Sequence, residues 1–255
     1  MNVGLRYDHY SIFGGTTNPR GALIYDPWRK TTFKFLYGQS FRPPNQFELY
    51  YDAPGNEANP SLLPQTVKTM ELVWEQYFSK HFRMAVSGFY YPIHGLISEQ
   101  VDPANGNAFF ANSGSMGLRG FDFALSRRLP GGLQGTASYS FQDVSDSAHT
   151  AVPNAPKHVV QTALSAPLIR QKIFASMDLQ FVSARGTLAG PNTGAYVVPN
   201  FTVFMRNVFE RWELSASIYN AFNRIYADPV GNGLAENVVF QDGRTFRIKV
   251  GYKLR

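Results

Sequence analysis

The sequence predicts an all-β protein, an antiparallel transmembrane β-barrel, and three observations lead there. The first is alternation of apolar and polar side chains in segments of roughly ten residues, the signature of strands with two unlike faces. It is clearest at the C-terminus, where Phe246, Ile248, Val250, Tyr252 and Leu254 fall on one face and Thr245, Arg247, Lys249, Gly251 and Lys253 on the other. The second is that the connections alternate between tight and long, as periplasmic turns and extracellular loops do. The third is composition: aromatics make up 15% of residues and charged residues only 16%, below the quarter usual for a soluble domain. Mean hydropathy is −0.23, and no run approaches the roughly 18 apolar residues of a membrane helix, so any spanning is done by strands.

Period two with turn punctuation gives twelve strands, at 2–12, 19–27, 30–41, 66–79, 82–100, 107–128, 133–144, 156–166, 171–184, 196–208, 211–221 and 242–254. The first alternates through Val3, Leu5 and Tyr7. The third sets Thr31, Phe33, Phe35 and Tyr37 against Lys34 and Gly38, and the fourth sets Met70, Leu72 and Trp74 against Glu71 and Glu75. From Met84 to Pro92 the facing is ambiguous. The eleventh sets Leu214, Ala216 and Ile218 against Glu213, Ser215 and Ser217.

Short turns are expected at 26–29, 79–81, 129–132, 167–170 and 209–211, and long polar loops at 14–18, 42–65, 100–106, 145–155, 185–195 and 222–241. With an even strand count both termini share the turn side, and no helix of convincing length interrupts the pattern. A soluble sandwich or up-and-down barrel is the alternative. Strand length and charged residues throughout the would-be interior oppose it.

The chain has no cysteine, which excludes disulfides, thiol nucleophiles and thiolate metal sites. Its net charge of +6 is spread among strands and turns without the basic stripe of a nucleic-acid binder. No signal peptide precedes the first strand, so a mature or truncated piece is expected.

Several stretches resemble the barrel of TonB-dependent outer-membrane receptors, in the family's order. Tyr37-Gly38-Gln39-Ser40-Phe41-Arg42-Pro43-Pro44 with Phe47-Glu48-Leu49-Tyr50 is similar to its Phe-Arg-x-Pro strand end. Asn59-Pro60-Ser61-Leu62 with 67–72, Gly88-Phe89-Tyr90-Tyr91 with Leu96-Ile97, and Asn112 with Gly120-Phe121-Asp122-Phe123 follow, although Glu is commoner than Asp122 there. Pro156-Lys157-His158, Tyr219-Asn220-Ala221-Phe222-Asn223 with Tyr226, and Gly243-Arg244-Thr245-Phe246 complete the series. The resemblance implies an importer of a siderophore-iron complex or similar nutrient in the Gram-negative outer membrane. Residues 1–255 would form about the last 12 strands of a barrel of about 22, open as a fragment, with the plug domain absent. Outer-membrane lipid, the plug, the TonB complex and a siderophore or other nutrient are the implied partners. Ending in Leu254-Arg255 instead of an aromatic departs from the family. A self-contained 12-stranded porin or adhesin-like barrel is the competing reading, and pairing of the first strand with the last discriminates between the two.

No catalytic motif occurs, so no enzyme activity, cofactor or metal site is expected. His9, His81, His94, His149 and His158 are scattered; Asp143, Asp146 and His149 crowd one expected loop, where solvated polarity is favoured over the alternative of a cation site. For ligand contact the candidates are Tyr50, Tyr51, Asp52, Asn56 and Glu57, which combine aromatic faces with carboxylate and amide groups on a long loop; Tyr50 and Tyr51 fit an interfacial girdle equally well. Arg6, Asp8, Lys34, Glu71, Glu75, Gln134 and Glu213 are expected to line the lumen and face the plug, and Trp28, Trp74 and Trp212 to anchor at the interfaces.

Overall fold

In the computed structural model, which describes residues 1–146, 152–169, 172–188, 190–208, 211–231 and 235–254, the alternating segments are strands. They are β1 (Asn2–Tyr10), β2 (Gly14–Trp28), β3 (Thr31–Arg42), β4 (Asn56–Glu57), β5 (Gln65–Ser79), β6 (Phe82–His94), β7 (Ile97–Val101), β8 (Ala108–Asn112), β9 (Ser115–Arg128) and β10 (Gln134–Asp146). There follow β11 (His158–Ile169), β12 (Ile173–Val182), β13 (Tyr196–Val208), β14 (Trp212–Tyr219), β15 (Ala227–Pro229), β16 (Val238–Phe240) and β17 (Thr245–Tyr252). Between β3 and β4 lies one short helix, α1 (Gln46–Tyr50). Among the described residues no helix is long and apolar enough to cross a membrane.

Twelve strands form one antiparallel sheet in the order β1-β2-β3-β5-β6-β9-β10-β11-β12-β13-β14-β17. Among the described residues β1 pairs only with β2 and β17 only with β14, so the sheet is not closed. The strands are far longer than the five or six residues usual in soluble sheets, β2 and β5 reaching 15. The β2–β3, β5–β6, β9–β10, β11–β12 and β13–β14 strand ends that follow one another closely in sequence mark one end of the sheet, called the turn end below. The remaining connections mark the loop end.

Register sorts the side chains into two faces. Phe33 stands opposite Trp74, Phe35 opposite Leu72 and Tyr37 opposite Met70; Phe246, Ile248, Val250 and Tyr252 stand opposite Ile218, Ala216, Leu214 and Trp212. This apolar face is bare: Leu5 is 72% exposed, Leu72 57% and Ile248 80%. On the other face Thr32 meets Glu75, Ser87 meets Asp122 and Ser215 meets Lys249. The buried apolar residues lie outside the middle of the sheet, as two clusters at the loop end: Leu49, Leu62 and Ile97 with Phe110, and Val182, Tyr196 and Val198 with Tyr226. A soluble sandwich would bury the sheet's apolar face, and this molecule leaves it uncovered.

Four expectations need correction. The predicted loop at 14–18 is strand: β2 begins at Gly14, whose φ of 84° lets a three-residue turn reverse the chain. The predicted strands 82–100 and 107–128 are each broken, at Gly95 (φ 65°) and Gly114 (φ 106°). The released pieces, β7 and β8, leave the main sheet and join β4 in a three-stranded sheet. The long loops 42–65 and 222–241 are not plain loops: the first holds α1 and β4, the second the paired strands β15 and β16. The last strand is shorter than 242–254, since 242–244 belong to a loop bonded to Asn220 and Asn223.

The ambiguous stretch from Met84 to Pro92 has a physical cause. Phe89 and Tyr91 sit on the polar face with Ser87, their rings stacked 5.1 Å apart. Phe89 is paired with Gly120, and a Cβ at Gly120 would approach its ring tip at 2.8 Å. The ring covers a glycine, which puts an aromatic on the side where the pattern calls for polarity.

Candidate ligand loops and polar face

The family-like words at the end of β3 become a clasp. Arg42 donates from Nη1 to both carboxylate oxygens of Glu48, at 2.9 and 3.0 Å, and from Nη2 to Gln65 at 3.2 Å. Glu48 also completes a capping box, accepting from the Asn45 backbone N–H while Asn45 Oδ1 accepts from the Glu48 N–H. The box starts α1 and turns Leu49 into the fully buried centre of the first cluster. Asn59 donates to the Phe110 carbonyl; Asn112 donates to the carbonyls of Leu63 and Gly95 and accepts from the Leu63 N–H. Loops 43–64 and 95–114 are thereby one body.

The five residues singled out on this loop separate in the structure. Asn56 and Glu57 form β4 and pair with β8. The Glu57 carboxylate accepts from Asn105 at 2.6 Å and Asn107 at 3.0 Å. Tyr50, 49% exposed, Tyr51, 40% exposed, and Asp52 face solvent. Sequence reasoning missed Phe47, which stacks on Tyr51 at 4.4 Å, meets Phe110 edge-on and remains half exposed. Its spacing of four from Tyr51, read as helix instead of loop, was the available signal.

A second clasp was not foreseen. Arg185 is ion-paired to Asp228, donates to Asn154 and lies 5.9 Å from the Tyr196 ring centre, with its side chain only 10% exposed. Tyr196 packs on Tyr226 at 4.3 Å. Burial first, then the Asp228 and Asp242 carboxylates, raises the Tyr226 phenol above its ordinary pKa. Asn220, at φ 47° and 3% exposed, bonds Asn200, Arg224 and Asp242. Three loops are tied by groups distant in sequence.

All seven residues expected in the lumen share the polar face by register. Arg6 pairs with Asp8 at 2.7 Å. Glu75 accepts from Lys34 at 2.9 Å and Arg83 at 2.8 Å. Glu213 meets Lys253 at 2.7 Å, and Gln134 accepts from Arg128 at 3.4 Å. Glu71 lies between Leu36 and Phe89. Toward the turn end a cavity of about 640 Å³ spans β5 to β12, with Arg83, Ser126, Arg128, Gln134 and Asp178 in its wall, so the polar face is the concave one.

Among the described residues no three His, Asp or Glu side chains gather as metal ligands. His149 lies outside the described residues. Asp143 stands on the apolar side of the sheet and is shared by Arg119 and Lys157. His158 Nδ1 is 2.8 Å from Tyr139 Oη on that same side. Trp28 and Trp212 sit at the turn end, 68% and 40% exposed, and Trp74 stacks on Phe33.

No curated protein matches the chain. Among solved structures, the siderophore receptor PirA of Acinetobacter baumannii superposes with a TM-score of 0.81 at 13% identity, covering 98% of this chain and 43% of that one. The ferric-catecholate import receptor Fiu of Escherichia coli K12 gives 0.75 at 18% identity, with coverages of 94% and 35%. The FrpB iron transporter of Neisseria meningitidis gives 0.75 at 15%, with 94% and 39%. The chain thus spans less than half the length of each of these structures. Such identities establish the shared fold. The family model described as TonB dependent receptor-like, beta-barrel, matches residues 1–221, and the chain belongs to that family.

Proposed function

We propose that the chain is the C-terminal half of the barrel of a ligand-gated importer in the Gram-negative outer membrane, serving uptake of a siderophore-iron complex or a comparable nutrient. TonB-dependent receptors are transporters, not enzymes. The observation that carries the reading is the open sheet, with a bare apolar face and a polar face that holds the cavity. Two free edges offer backbone N–H and C=O groups that hydrocarbon cannot satisfy, so further strands must complete the wall. The 35–43% coverage of the similar receptors supports the same division.

In this reading the wall performs no covalent chemistry. Phe47, Tyr50, Tyr51 and Asp52 make first contact with ligand from a loop body stiffened by Asn112 and Arg42, which lowers the ordering cost of binding. Arg6, Asp8, Lys34, Glu71, Glu75, Gln134 and Glu213 face a plug domain whose displacement, driven through TonB, opens the path. The self-contained porin or adhesin-like barrel needs β1 paired with β17, and their free edges speak against it. Uptake of radiolabelled iron-siderophore complexes by cells carrying the complete gene tests the proposal. Saturable uptake that stops when TonB is removed is expected; uptake indifferent to TonB contradicts it.

A further inference from the structure

The bases that the sequence scatters among strands and turns gather in the fold toward one end of the sheet. Arg29, Lys30, Lys80, Arg127, Lys172 and Arg211 all stand in the turns or last residues at the turn end. None of them forms an ion pair with a described carboxylate, the pairs among the described residues being made by other bases. The loop end differs. Loops 43–64 and 95–114 contain no Lys or Arg and carry Glu48, Asp52, Glu57, Glu99 and Asp102. Arg119 and Lys157 near that end are held by Asp143 and Arg42 by Glu48, while Arg224 and Arg244 stand in the 220–244 loop.

The turn-end bases are interleaved with exposed aromatics of the apolar face. Arg127 lies 5.5 Å from the ring centre of Phe82, which stacks on the half-exposed Phe78 at 4.8 Å; Lys80 is in the turn between them. Arg211 donates to the Tyr252 hydroxyl at 3.1 Å, beside Trp212 at 4.9 Å from the Tyr252 ring. Arg29 and Lys30 follow the 68% exposed Trp28. Rings that sit at a headgroup boundary, each with a cation reaching beyond it, make a surface for a lipid phosphate in a way that a purely polar rim would not. An acidic protein would require no such aromatic level.

We infer that this rim is a collar for anionic phospholipid headgroups, with the phosphodiester of a phosphatidylglycerol-type lipid as its ligand, in the leaflet at the turn end. The inference rests on the membrane-barrel reading. Its electrostatics favour anionic over zwitterionic lipid by about fivefold for each base close to the surface, and fix which end of the sheet meets phospholipid.

The test uses the complete receptor carrying this chain, extracted in mild detergent, with mass spectrometry of the retained lipid. The wild type is expected to keep phosphatidylglycerol in preference to phosphatidylethanolamine, and to lose that preference in about 1 M salt, where screening is short-ranged. Arg29→Gln, Lys80→Gln and Arg127→Gln together are expected to lower the ratio roughly tenfold or more, Arg127→Lys to leave it unchanged, and Lys68→Gln, a base near the loop end, to leave it unchanged. Heat-modifiable migration of each protein separates the two readings. If barrels are folded and the triple variant retains as much phosphatidylglycerol as wild type, whatever protein co-purifies, the collar is wrong and the barrel stands. If Lys68→Gln acts equally, the effect is bulk charge and the collar is also wrong. If wild type shows no folded membrane form, the barrel reading itself has failed.

Discussion

At the scale of single residues, the loop end is held by side chains whose hydrogen bonds cross long stretches of sequence. Asn112 satisfies both backbone groups of Leu63, 49 residues away, and the Gly95 carbonyl. Asn112→Ala leaves those groups unpaired, and about 1–3 kcal/mol of local stability is lost. The expected readout is faster hydrogen exchange of the Leu63 amide and cleavage within 95–114, with the sheet still folded; unchanged exchange contradicts this. Glu75 is a second such position, because one carboxylate serves two cations and is 15% exposed. Glu75→Gln leaves Lys34 and Arg83 facing each other on the polar wall, and a loss of about 1–2 kcal/mol is expected after allowing for the partial exposure of both cations. Urea unfolding of the complete receptor measures it, and a change within error contradicts the pairing. The loop words that resemble the family were legible as words, whereas their job was not: nothing in Asn59 or Asn112 alone says that Phe110 or Leu63 is the partner. Arg185 and Asp228, 43 residues apart, carry no local signal at all.

At the scale of elements, period two placed the long strands because each carries one apolar and one polar face. It failed where a local need overrode the pattern. Phe89 breaks the alternation of β6 in order to cover Gly120, and β7 and β8 have strand-like sequences, so only the glycines at 95 and 114 tell that they leave the main sheet. The tight approach at Gly120 makes a direct prediction. A Cβ there would land on the Phe141 carbonyl oxygen and press on Phe89, so Gly120→Ala should force β9 from β10 and reduce the heat-modifiable, folded fraction of the complete receptor several-fold. Gly88→Ala, on the neighbouring strand with open space around it, should leave that fraction unchanged. Equal folding of both variants contradicts the register.

At the scale of the whole molecule, everything turns on a sheet with one apolar and one polar face whose edge strands, β1 and β17, do not pair with each other among the described residues. Expressed alone, residues 1–255 should not give a stable, heat-modifiable monomer after refolding in detergent, because the edges of β1 and β17 stay unsatisfied; such a monomer would contradict the half-barrel. The most direct test of the central claim uses the absence of cysteine from the chain. Single cysteines placed in turn at 246 to 252 in the complete receptor, spin-labelled in membranes, report whether each site meets oxygen in lipid or a polar nickel chelate in water. The structure predicts strict alternation, with 246, 248, 250 and 252 in lipid and 247, 249 and 251 in water; equal accessibility at neighbouring sites, or the opposite phase, would contradict it.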